Sequence, residues 1–135
     1  MIENVDIMNI MSVSKVEEYF DGLLRGKLSD NIFFTKMPTS IQKGWKSFVV
    51  VDCGSSIRDF DAYGQGSVLV TMFVTPNAGG KKNAKEMYRM ESKLNEIIST
   101  SSDEHYVISK ENSYARYDAA SDCFYNIVKL NIIIR

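Results

Sequence analysis

The stretch Ser67–Val74, SVLVTMFV, constrains the fold more than any other part of this chain. It is rich in β-branched and aromatic residues, has glycine just upstream, and is too short to stand as a lone helix, so it is expected to be a strand. Side chains of a strand alternate between faces, which sends Val68, Val70, Met72 and Val74 one way and Leu69, Thr71 and Phe73 the other. Both faces are largely apolar, and both therefore require cover.

Ser47–Cys53, SFVVVDC, has the same texture, and glycines punctuate the facing ends of the two runs. They are expected to be neighbouring strands joined through the polar loop that contains SSIRDFDAYGQG. The closing run CFYNIVKLNIIIR sets Phe124, Val128, Leu130, Ile132 and Ile134 against Tyr125, Lys129 and Asn131, a long one-sided strand. Ile32–Thr35, ahead of Pro38, and His105–Ser109 are shorter strand candidates.

Two segments carry a helical period instead. Ser14 followed by Glu17 has capping-box spacing, and Val16, Tyr19, Phe20, Leu23 and Leu24 recur at three and four, predicting a helix that ends near Gly26. Gly22 inside it costs about 1 kcal/mol relative to Ala, so this helix leans on packing. Asn83, with Glu86 three residues on, predicts the start of a second helix whose apolar stripe is Met87, Met90, Leu94, Ile97 and Ile98. Lys85, Arg89 and Lys93 lie nearly opposite that stripe.

No repeat, linker or low-complexity segment divides the 135 residues, and 44% hydrophobic content supplies a real core. The expected fold is a single α+β domain over 1–135, with 1–13 as a candidate N-terminal arm. It has a mostly antiparallel four- to five-stranded sheet and two helices packed on one face. Two helices cannot cover both faces. The second apolar face is expected to meet another copy of the chain, with Met72 and Phe73 as interface candidates. A charge at either is expected to impair folding or assembly.

The residue types limit the chemistry. A formal charge of -1 gives no net field to attract DNA. Cys53 and Cys123 stand alone in apolar runs, so neither a disulfide framework nor a zinc cluster is expected, and both read as reduced and buried. The opening MIENVDIMNIMSVSK lacks a basic n-region and no run approaches a membrane span, so neither export by a signal peptide nor membrane insertion is expected. His105 is the only imidazole and has no nucleophile motif near it, which favours an ordinary strand histidine over a catalytic one. GGKK before a helix has the look of a phosphate loop, but that pattern requires Gly where Thr75 stands and Ser or Thr where Lys82 stands. The Lys85, Arg89, Lys93 stripe lacks interleaved aromatics and fits a solvated face better than a nucleic-acid face. Asp59 and Asp61 share a face in extended backbone and could hold a divalent cation, but without a third acid or histidine nearby most of the coordination sphere falls to water. No cofactor, metal site or catalytic residue is expected.

In its element order the chain resembles the small tail-terminator, tail-completion and head-to-tail connector proteins of tailed phages. The stretches that carry this are MPTSIQKGWKSFVVVDCG, GQGSVLVTMFV, GGKKNAKEMYRMESKLNEII and FYNIVKLNIII, and the resemblance runs from Ser14 to the end. It implies a non-enzymatic virion protein, assembled in the bacterial cytoplasm into a ring, commonly a hexamer, that meets tail-tube or portal proteins. DNA would at most pass through the lumen. Loops between strands would make the contacts, which places Arg58, Asp59, Asp61 and Tyr63 at subunit or partner surfaces. The alternatives are a small metal-dependent enzyme using Asp59 and Asp61, and a cytosolic module binding a peptide, or a nucleic acid through Lys85 and Arg89.

Overall fold

The computed structural model describes residues 12–54, 57–60, 63–101 and 103–135. The candidate arm therefore lies, apart from Ser12 and Val13, outside the described residues. In chain order the elements are α1 (Val13–Leu24), β1 (Ile32–Phe34), β2 (Ser47–Asp52), β3 (Arg58–Asp59), β4 (Gly64–Val74), α2 (Ala84–Thr100), β5 (Tyr106–Asp118) and β6 (Cys123–Ile134). The sheet runs β1-β2-β4-β6-β5, with the two-residue β3 added beside β4. All pairings are antiparallel except β1 with β2. The α+β architecture expected from the sequence is thus the one observed.

Helix α1 begins two residues earlier than the Ser14–Glu17 spacing predicts. Ser12 has extended backbone and its hydroxyl accepts the Lys15 N–H at 3.2 Å, which leaves Ser14 inside the first turn. The helix buries Val16, Phe20 and Leu24 and stops at Arg25, whose side chain folds back onto Asp21 and onto the carbonyls of Asp30 and Ile32. Helix α2 begins where expected: the Asn83 side chain accepts the Glu86 N–H at 3.2 Å, and Met87, Met90, Leu94 and Ile97 are buried.

Both helices lie on one face of the sheet. There they enclose Val68, Val70, Met72 and Val74 of β4 together with Val128, Leu130, Ile132 and Ile134 of β6 in the main core. The opposite face is not left wholly to an outside partner. Between β1 and its parallel neighbour β2, residues 35–46 cross that face and lay Ile41 and Trp45 against Phe48, Val50, Phe73 and Cys123. The aromatic rings interlock there, with Phe48 stacked on Phe73 at 4.6 Å and Trp45 at 6.0 Å from Phe48. Cover ends at this patch. On the same face Leu69, Val107 and Ile133 remain 36–38% exposed, and Tyr114 about half exposed.

Strand β5 runs nine residues past the expected end at Ser109. From Ser109 to Tyr117 every residue is exposed, so nothing in its composition could register a buried face. A bulge at Glu111, between Lys110 and Asn112, shifts its register against β6, and Glu111 is tethered there by Lys129 at 3.5 Å.

Candidate functional site

The glycine-flanked loop after β2 resolves into a hairpin. Asp52 accepts the Gly54 N–H at 2.8 Å and Gly54 has φ +66, so the chain leaves β2 in a conformation that favours glycine. Arg58 then pairs with Gln65 and Asp59 with Gly64, and the Phe60 N–H donates to the Tyr63 carbonyl at 2.8 Å to close the tip. The rings of Phe60 and Tyr63 stack at 5.2 Å and 17°, both well exposed, with exposed Arg58 on the adjacent strand. Of the four loop residues expected to make contacts, Arg58 and Tyr63 are therefore on the surface and Asp59 is placed by its backbone, while Asp61 lies outside the described residues. Sequence reasoning passed over Phe60, although an aromatic residue three positions before Tyr63 across a turn is the signal that pairs them.

The two interface candidates are corrected. Met72 has no exposed surface and sits among the helix-facing core, so it can touch no second copy of the fold. Phe73 is 7% exposed because the protomer's own Phe48, Tyr125 and residues 35–46 enclose it. What faces outward on that side, farther along the strands, is Val107 beside Ile133, and Leu69 set apart from them by Ser67, Lys129 and Asn131.

The other candidates take structural places. Among the described residues, no three His, Cys, Asp or Glu side chains converge as metal ligands. Cys53 is buried in the main core, and burial, followed by the charges of Glu17 and Asp52, pushes its thiol up to about 12. Cys123 lies in the cluster on the opposite face and is also raised, chiefly by burial. Both thiols are therefore protonated at neutral pH, a poor state for nucleophilic attack. His105 hydrogen-bonds through Nδ1 with the Arg135 carbonyl at 2.9 Å, tying the start of β5 to the chain end. At the GGKK turn, Gly79 and Gly80 have φ of +90 and +78, and one of the first amides of α2, the Glu86 N–H, is taken by the Asn83 side chain. In the basic stripe, Arg89 pairs with Glu86 and donates to the Leu28 carbonyl at 3.2 Å, while Lys93 is 3.5 Å from Glu96. Arg89 thus fastens α2 to the turn before β1.

One concavity of about 510 Å³ opens beside α1, lined by Lys15, Glu18, Tyr19, Gly22, Leu23, Lys27 and Tyr106. Tyr19 and Tyr106, both lining it, stack at 4.5 Å, and burial raises both phenols above their ordinary range. It is mainly apolar, with charges at the rim. No protein-family model matches the chain, and no curated protein matches it.

Proposed function

We propose that this protein is a self-assembling structural subunit, of the ring-forming kind found at the tail end or head-to-tail junction of tailed phages. The observation that carries the proposal is the one-sided cover of the sheet. Helices shield one face over β2, β4 and most of β6, whereas the other is shielded only at its aromatic end, and Leu69, Val107 and Ile133 stay open. Apolar side chains left exposed beside one another on a sheet face, as Val107 and Ile133 are, suit an interface. The resemblance in element order supplies the ring and the phage setting. In this reading the open strip meets the neighbouring subunit, and the hairpin tip bearing Phe60 and Tyr63 reaches the next component of the particle.

The test is the mass of the purified particle, followed by negative-stain imaging. The expected result is a discrete multiple of 15.3 kDa with annular views. Leu69→Asp is expected to dissociate it. Phe60→Ala with Tyr63→Ala should leave the ring intact and weaken its docking. A particle of unit mass at every concentration, or an assembly indifferent to Leu69→Asp, would refute the reading.

A further inference from the structure

We propose that the far half of β5, Asn112–Asp118, is a self-complementary edge through which two copies of this chain pair antiparallel about a two-fold axis at Ala115. The proposal does not depend on the ring reading. Two-fold pairing closes on itself and gives a dimer, and combined with a heterologous ring contact it would join two rings back to back.

The two edges of the sheet differ. At one edge, β1 has three residues, and the Arg25 guanidinium occupies the Ile32 carbonyl beside it at 3.3 Å. At the other, β5 has thirteen residues, and among the described residues no strand pairs along its outer side. A long unpaired edge is a template for another strand unless something blunts it. The Glu111 bulge and Lys110 blunt the near half. Beyond them NSYARYD is regular, free of proline, and exposed as far as Tyr117.

The backbone fixes which groups face outward. The Arg135 N–H donates to the His105 carbonyl at 2.8 Å, so the odd-numbered residues of β6 turn their backbone groups toward β5. Past the bulge, their partners are Asn112, Tyr114, Arg116 and Asp118. The N–H and C=O groups of Ser113, Ala115 and Tyr117 therefore turn to the open edge. Two copies can pair only in registers that set these outward residues against one another, so registers offset by a single residue are excluded.

Side-chain chemistry then selects among those allowed. An axis at Arg116 would set the two arginines face to face, which is repulsive. An axis at Tyr114 would set Asp118 against Lys110, across the bulge. An axis at Ala115 stays within the regular segment. It places a small side chain at the centre, Ser113 against Tyr117, Asn112 against Asp118, and Tyr114 against the second copy's Arg116. Within one copy the Arg116 guanidinium already lies over the Tyr114 ring at 5.4 Å, so pairing continues this into an alternating ladder across the axis. Three outward residues on each copy supply about six backbone hydrogen bonds, and the two sheets become continuous.

Sedimentation equilibrium from about 1 to about 200 µM tests this. The expected wild-type result is a reversible doubling of mass, of protomers or, where rings form, of rings. Ala115→Lys and Ala115→Glu each place like charges on the axis and are each expected to lose this doubling alone, with it restored when they are mixed. Ala115 is exposed, so circular dichroism should show both folded. As an arm independent of affinity, Ala115→Cys should form an interchain disulfide under mild oxidation. Directly paired residues lie within disulfide reach, and both native thiols are buried. Ser113→Cys and Tyr117→Cys should crosslink several-fold more slowly alone, yet readily with each other. Dimerisation unchanged in Ala115→Lys, a wild-type monomer throughout the range, or equal crosslinking at positions 113, 115 and 117 would overturn the proposal. A ring that survives these substitutions while the two-fold contact is lost would leave the ring reading standing without it.

Discussion

Phe73→Ala and Leu69→Ala make a matched pair, because both residues lie on β4 and point to the same, helix-free face. Phe73 is 7% exposed and enclosed by Phe48 at 4.6 Å and Tyr125 at 5.5 Å. Truncating it opens a cavity among aromatic rings, a change that costs about 3–5 kcal/mol. Leu69 is 36% exposed, so its truncation leaves no closed cavity. Losing three carbons at about 0.8 kcal/mol each, scaled to the portion buried, gives about 1.5 kcal/mol. The expected difference is thus about 1.5–3.5 kcal/mol, or about 1–2.3 M in urea midpoint for a slope near 1.5 kcal/mol per M. The assay is urea unfolding followed by Trp45 fluorescence, since Trp45 is the only tryptophan and belongs to this aromatic cluster. Measurements at about 1 and about 50 µM protein separate the two sources of cover. A Leu69→Ala cost that grows with concentration is the signature of a second copy on the open strip. Equal, concentration-independent losses at both positions would refute the reasoning, because they would mean that residues 35–46 do not divide the face into a covered and an open part.

Three further outcomes follow from particular side chains. The folded-state pKa of Cys53, about 12, lies above its ordinary 9.0, so the protonated thiol's contribution is complete below pH 9 and is lost as pH rises from 9 through 12. Burial raises Tyr19 and Tyr106 in the same direction, so the urea midpoint should fall between pH 8 and pH 10.5, and an aromatic disulfide reagent should find the thiols only on unfolding; an unchanged midpoint would contradict this. Gly22→Ala meets nothing within 4 Å at the added Cβ and should stabilise the protein by up to about 1 kcal/mol, seen as a higher thermal midpoint. Asn83→Ala removes the acceptor for the Glu86 N–H and should cost about 1 kcal/mol, while Asn83→Ser should recover most of it.

Much of the fold is legible along the chain because burial writes a period wherever an element has one wet and one dry side. The stripe of α2, the alternation of β6 and the doubled apolar pattern of β4 are all of this kind. Two elements escaped. The outer part of β5 is exposed on both faces, so no alternation marks it, and only its pairing with β6 makes it a strand. The segment 35–46 has no period either; Ile41 and Trp45 matter through Phe48 and Phe73, which no local spacing connects to them. The candidate site divides in the same way. That this polar, glycine-flanked loop makes contacts could be read along the chain, and the resemblance named Arg58 and Tyr63 in it, whereas the stack of Phe60 on Tyr63 depends on a closed turn.

By itself the sequence determined that β4 carries apolar residues on both sides, since alternation along a strand is a local property of the backbone. Which cover each side receives was decided only by the tertiary structure. The hydrophobic effect asks that apolar surface leave water without specifying what replaces it. Met72 is closed in by helices, Phe73 by a crossing loop, and Leu69 is left at the surface, three outcomes on one strand set by segments distant from it in the chain.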